Sequence, residues 1–479
     1  MRDERPEGIR TERDGIGDMT IPADAYYGIH TLRAVRNFPF SGYRLHPAFI
    51  RAFAQVKQAC ARTNALLGHL PGERGLAVIE ACAEIADGRL HDQIVVDAFQ
   101  GGAGTSTNMN FNEVIAGRAA ELLGGDRGDR ELVHPIRHVN MHQSTNDVYP
   151  TALRVAVLSL LERLEDAVST LQASMQAKET ALRDVVKVAR TELADAVPMT
   201  LGMTFGAFAE AVARDRWRIF KCRERIKRVN LGGTAIGTGL GAPRDYVLAV
   251  AGHLAAVTGL PVSRAENLVD ATQNADVFAE VSGMLRACAA NLLKIASDLR
   301  LLGSGPAAGL GEITLPPLQA GSSIMAGKIN PVMPEAVTQA ALRVMANDQM
   351  IGLAAGLGQL ELNHLLPLIA HALPESLTLL TAACRGLARD CVDGIEPRPD
   401  RCRAQVEQSS ALATVLVPAI GYDRVETLVA DARREGRTVP AQVVAAGIAS
   451  AKAVERLLSP RQLCKLGYTP GEFEEVNTP

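Results

Sequence analysis

The feature that most constrains this chain is an unbroken run from Thr151 to Val188 that contains neither Pro nor Gly. Ala, Leu and Val recur along it at helical spacing, and about 38 residues at 1.5 Å each give a rod of about 57 Å if wholly helical. A helix of that length without an internal break belongs in a bundle or a coiled coil. Similar patterns run from Thr204 to Val229, Ala275 to Leu302, Pro334 to Leu357 and Leu366 towards Leu387, the last with Pro374 as an expected kink. Five such helices side by side keep apolar surface on more than one side, so a single chain cannot bury them all. Self-association, as a homotetramer, is the expected solution.

Composition supports helices over sheets. Aromatic residues are 4% of the chain while apolar residues are 47%, so Ala, Leu, Val and Ile must fill the core. At 479 residues the chain exceeds what one core usually supports, which implies several domains. The expected boundaries are 1–142 for an N-terminal domain, 143–396 for the helical bundle and 397–479 for a small C-terminal helical domain. The first forty residues mix Pro, Gly and charge irregularly and are expected to form an extended arm.

Fifty basic and 53 acidic residues leave a net charge of −3, and the basic cluster Lys221–Arg228 reads as a solvated helix face, so no nucleic-acid partner is expected. Eight cysteines lack any CxxC pair and read as small buried apolar residues in a reducing compartment. His134, His138 and His142 recur every four residues, but Pro135 argues against one helical face, and no metal site is expected. The charged start MRDERPEGIRTERDGIGD lacks the apolar core of a secretory signal, and no uncharged apolar stretch of membrane-spanning length is visible. A cytoplasmic protein without a membrane partner is the expectation.

Three polar segments punctuated by Gly, or set just before the longest helical run, interrupt this apolar helical chain. They are Gly102-Ala103-Gly104-Thr105-Ser106-Thr107-Asn108-Met109-Asn110, Gln143-Ser144-Thr145-Asn146-Asp147, and Gly321-Ser322-Ser323-Ile324-Met325-Ala326-Gly327-Lys328-Ile329-Asn330-Pro331. Each sits near an expected helix start, where free N–H groups and the helix dipole attract anions. Ser, Thr and Asn also cap helices with no further role. Three such segments, one holding a lysine, point beyond capping to an anion site.

The third segment resembles the signature loop of the fumarase/aspartase superfamily, GSSxMPxKxNP. Ala23–Arg33, Asp195–Gly202, Thr234–Leu240 and Leu360–Asn363 extend the likeness along nearly the whole chain and favour the aspartase branch. The resemblance implies an all-α fold of three domains whose five-helix bundles form a twenty-helix core in a homotetramer. It also implies elimination of ammonia or an amine from L-aspartate or an N-substituted aspartate, leaving fumarate, with no cofactor. Ser322 matches the family's catalytic base. Thr105, Ser144, Thr145 and Ser323, beside Ser106, would grip the carboxylate that becomes an aci-carboxylate dianion. Thr191, Lys328 and Asn330 would hold the other carboxylate, and Asn146 would line the leaving-group side. Each site would be shared between three subunits.

The chain departs from the family pattern at several positions. Glu192 stands where fumarases carry His and aspartases Gln or His; a carboxylate about 4 Å from a substrate carboxylate costs roughly 4 kcal/mol at an effective dielectric of 20. Protonation, a turn towards a cation such as Arg190, or a cationic group on the substrate would each relieve that cost. Glu335 matches the acid that partners the family's His. Met203-Thr204 replaces Gln-Glu, Ala307 an Arg, and Ala326 the signature-loop Pro, whose loss loosens the loop. The alternatives are a fumarase-like hydratase, a lyase on another succinyl compound, and a non-catalytic tetrameric scaffold.

Overall fold

The computed structural model describes residues 8–473 and Val476, so the first seven residues of the charged leading segment lie outside the described residues. The chain is predominantly helical, and its strands form four two-stranded sheets among the described residues. The long helices are Thr145–Ala181, Leu201–Ile226, Asp276–Leu302, Val332–Gly356 and Leu366–Asp390. The last is long and apolar enough to cross a membrane by length and composition alone, but 61% of its apolar window is buried within the protein. It is a core helix with Pro374 inside it.

The longest helix differs from expectation at both ends. It starts at Thr145 and carries Pro150 inside its sixth position, where proline removes the N–H that would bond the Asn146 carbonyl. The buried Asn230 amide replaces it, donating to Asn146 O at 2.9 Å while its own oxygen accepts from Thr151 Oγ1 at 3.3 Å. The helix stops at Ala181, and the last part of the expected rod is a strand instead: Val186–Thr191 pairs antiparallel with Ala194–Thr200. The leading segment also differs, since Ile9–Asp14 and Gly17–Pro22 form a hairpin rather than an irregular arm. Asp14 ties it down, accepting the Ile16 and Gly17 N–H groups at its turn and pairing with Arg33 at 2.7 Å.

The chain divides into two compact units, each built from three stretches. The first comprises Met1–Asp166, Asp215–Ala290 and Ala340–Thr381. Helices Pro47–Leu66 and Thr105–Leu122 and the start of the longest helix meet there around Phe49, Phe53, Phe111 and Tyr149. The Phe53 and Phe111 rings stack at 4.4 Å and Phe49 meets Tyr149 edge-on at 5.0 Å, so scarce aromatics are concentrated where helices cross. The second unit comprises Ala167–Arg214, Asn291–Gln339 and Ala382–Pro479. Its C-terminal helices, among them Tyr422–Arg434, Val439–Ala445 and Ala451–Leu457, close over a separate core that includes Leu416, Leu428, Val443 and Leu457.

Candidate active site

In the first unit, two of the three polar segments are joined. Gly104, at φ +95°, turns the chain into the helix that starts at Thr105, and a Cβ there would lie 2.2 Å from the Tyr149 ring. The glycine is required both by its backbone and by its neighbour. Asn108 then donates to Thr145 Oγ1 and to Asn140 Oδ1, both at 3.1 Å. Ser144 Oγ accepts the Asn146 N–H at 3.2 Å, while the Asn146 amide donates to Ala235 O at 2.8 Å. Ser144 and Thr145 therefore receive hydrogen bonds from N–H donors, which leaves their own O–H groups to donate to an anion. Thr105 and Ser106 line a cavity of about 280 Å³ with His30, Arg33 and Met109.

Beneath these segments lies a buried polar network. Lys57, 1% exposed, donates to Asn140 Oδ1 at 3.0 Å and Gln143 Oε1 at 2.8 Å. Asp147 is wholly buried and accepts the N–H groups of Ser144, Gly232 and Thr234 at 3.0–3.1 Å. Burial pushes the Lys57 ammonium down to about 8. It pushes the Asp147 carboxyl up to about 7, against the backbone donors and the Lys57 charge, which pull it down.

In the second unit, the third segment forms a loop closed by Gly321 N–H bonding Lys328 O at 2.9 Å and by the Asn330 amide bonding Gly321 O at 2.7 Å. A Cβ on Gly321 would meet Lys328 O at 2.4 Å, so only glycine allows that closure. Ser322 Oγ accepts two backbone N–H groups, from Met325 at 2.9 Å and Ile324 at 3.2 Å. Two donors on one hydroxyl oxygen favour its deprotonated form. Ser323 and Lys328 are exposed and Asn330 is half-buried.

Thr191 and Glu192 sit at the exposed tip of the Val186–Thr200 hairpin. Its two-residue turn is Glu192-Leu193, with φ of +52° and +64°. Such turns favour Asn-Gly, and Glu and Leu in the left-handed region carry strain. No hydrogen bond or ion pair links this tip to the Ser322 loop among the described residues. Arg190 does not neutralise Glu192, because its guanidinium pairs with the buried Glu312. Glu335 pairs with Arg300 at 3.6 Å.

A family profile described as "Lyase" matches residues 17–346, and one described as the fumarase C C-terminus matches residues 412–465. The aspartate ammonia-lyase of Pseudomonas aeruginosa is 48% identical over 90% of this chain and 91% of its own. That of Bacillus subtilis is 43% identical over 97% and 98%. The crystal structure of a fumarate lyase:delta crystallin from Brucella melitensis bound to cobalt superposes with a TM-score of 0.92 at 47% identity, covering 96% of this chain and 100% of that one. The chain belongs to the fumarase/aspartase superfamily, in its aspartate ammonia-lyase branch. It is an enzyme, a lyase, with that family's helical fold.

Several residues that shape the candidate site carried no signal in the sequence. Lys57, Asn140 and Asn230 gave no signal, being single polar residues inside apolar or irregular stretches. Arg33 and His30 lie within Ala23–Arg33, where the family likeness implies no role for either. The three spaced histidines have local structural roles. His134 Nδ1 accepts from the Ile136 and Arg137 N–H groups, His138 Nδ1 accepts the His134 N–H, and His142 Nδ1 bonds Asn64. A turn of π-helix, Pro135–Val139, breaks their shared spacing.

Proposed function

We propose that the enzyme eliminates ammonia from L-aspartate to give fumarate, with the Ser322 alkoxide as base. The observation that carries this reading is the double backbone donation to Ser322 Oγ within a glycine-closed loop. Near relatives named aspartate ammonia-lyase support it. Ser322 removes a proton from the carbon next to one carboxylate, whose charge grows to that of an aci-carboxylate dianion. Hydroxyls preset as donors, those of Ser144 and Thr145, answer that charge without reorganising, with Thr105, Ser106 and Ser323 beside them. Thr191, Lys328 and Asn330 hold the other carboxylate while the C–N bond breaks and the nitrogen leaves past Asn146 with its electron pair.

Thr191 and Glu192 stand on one exposed hairpin, Ser322, Ser323, Lys328 and Asn330 on an exposed loop, and Thr105, Ser106, Ser144, Thr145 and Asn146 in the other unit. This division supports a site completed by neighbouring subunits in a homotetramer. Exposed Trp217 and Phe220 on one long helix and Leu342 and Leu353 on another supply apolar surface for such association. Fumarate released from L-aspartate, followed by its ultraviolet absorbance and abolished in Ser322→Ala, is the test. Turnover of malate alone would replace elimination of ammonia by hydration.

One observation favours a second reading. Glu192 is exposed, and its neighbour Arg190 is committed elsewhere, so a cationic group on the substrate is one way to offset its charge. An N-substituted aspartate with a cationic arm fits. The ratio of kcat/KM for such a compound to that for L-aspartate is expected to fall in Glu192→Gln, and an unchanged ratio rejects this reading.

A further inference from the structure

Strand Val186–Thr191, which presents Thr191 and Glu192, is held from behind by a buried charge cluster that the mechanism above does not use. Glu312 is wholly buried. One of its oxygens pairs with Arg190 and the other lies 3.2 Å from the ammonium of Lys187, itself 4% exposed. Residues three apart on a regular strand point to opposite faces. Here the pairing slips between Val188 and Arg190, and this irregularity brings both cations to one carboxylate. Lys187 also donates to Val188 O at 2.7 Å.

Glu312 is itself rigidly seated. Its N–H bonds Leu302 O at the end of a long helix, and its carbonyl accepts the Arg398 N–H, both at 2.9 Å. Arg401 and Gln405, on the helix Pro399–Gln408, bond the Leu310 carbonyl just before it. Gln405 Oε1 in turn accepts from Arg190 at 3.4 Å. Two cations on one carboxylate leave a positive charge in excess, in a region dry enough to screen it little.

We propose that Glu312 is a positioning residue for the reaction, fixing the aim of the hairpin tip, and that the surplus charge of Lys187 assists binding of the substrate carboxylate at Thr191. This rests on the assignment of Thr191 to that carboxylate. Removing one partner of a buried ion pair leaves the other uncompensated, so Glu312→Gln frees both cations at once.

The test uses the full-length enzyme, with amide hydrogen exchange across Val188–Asp195 and steady-state kinetics on L-aspartate. Glu312→Gln is expected to speed exchange in the hairpin and to lower kcat/KM on the order of a hundredfold. If that variant does not fold, Arg190→Lys, which keeps the charge but loses the two-pronged reach, takes its place with the same expectation for exchange. Lys187→Met keeps the Arg190–Glu312 pair; it is expected to leave hairpin exchange unchanged, raise KM about tenfold and change kcat by less than about twofold. Unchanged exchange in the folded Glu312→Gln or Arg190→Lys enzyme overturns the anchoring role, and an unchanged KM in Lys187→Met overturns the role of the surplus charge. A wild-type enzyme inactive on every succinyl compound would instead reject the functional reading, and the exchange measurement would still decide the anchor.

Discussion

The two groups of candidate site residues are built on opposite principles. In the first unit, Ser144, Thr145 and Asn146 stand at the start of the longest helix, over a sealed network of Lys57, Asn108, Asn140 and Asp147. In the second, Ser322 and Lys328 occupy an exposed loop held mostly by its own backbone, and Thr191 and Glu192 a strained turn at a hairpin tip. One half is preorganised to receive charge. The other is exposed and held mostly by its own backbone bonds. In the proposed reaction, which develops a dianion, fixed dipoles avoid reorganisation and closure of an exposed loop would exclude water.

The sharpest probe of this contrast is Ser322→Ala, which removes the proposed base from a loop that carries little of the fold. Turnover is expected to fall by about 10³-fold or more, with the melting temperature unchanged within about 1 °C. Lys57→Met does the reverse and strikes the foundation. It leaves Gln143 without its donor and Asp147 without its nearby positive charge, so stability should drop by about 2 kcal/mol and kcat/KM on the order of a hundredfold. Chemical denaturation and steady-state kinetics on one sample separate the two effects.

The same substitution made twice sharpens the comparison further. Gly104→Ala places a methyl group against the Tyr149 ring at a positive φ and should cost about 3 kcal/mol or more. Gly327→Ala, at φ +79° with open space around it, should cost about 1 kcal/mol and slow turnover through the loop alone. Equal losses in denaturation midpoint would erase the distinction between a rigid and an adaptable half.

The smallest expected effect is a slope in stability with pH. In the folded chain Asp147 keeps its proton up to about pH 7, whereas its ordinary value is 3.8. The folded state therefore binds more protons between those limits, and unfolding free energy falls as pH rises through them. Asp147→Asn should remove that part of the slope, seen by comparing urea midpoints of the two proteins from pH 4 to 7. An identical slope in the variant would show that Asp147 titrates in the folded chain as it does in water.

Much of this contrast was visible in the sequence, and the rest was hidden for physical reasons. The helical runs stood out because the absence of Pro and Gly is a strong signal over so many residues, and the Gly-Ser-Ser loop because its glycines serve close backbone approach. The hairpin was not legible. Its turn is Glu192-Leu193, which carries none of the Asn or Gly that marks such turns, and Val186–Thr191 continues an apolar rhythm from the helix before it. Tertiary contacts made by Lys187 and Arg190 set that strand, and local preference does not reveal them. Lys57 was equally silent, since one lysine on an apolar helix reads as a solvated residue until Asn140 and Gln143 are found around it. The expected run begins at Thr151 because Pro150 breaks a helix interior, and Asn230 makes that break tolerable by closing the Asn146 carbonyl.

That last substitution of one donor for another has a bearing on how the protein comes into being. The Asn146 carbonyl left open by Pro150 is closed by a side chain 84 positions further along, so a growing polypeptide that has not yet delivered Asn230 holds the longest helix with its first turn incomplete. The candidate residues Ser144, Thr145 and Asn146 stand at that turn. Assembly of the binding surface thus waits on chain made much later, and fragments ending before Asn230 are expected to be helical yet unable to arrange Ser144, Thr145 and Asn146 for work.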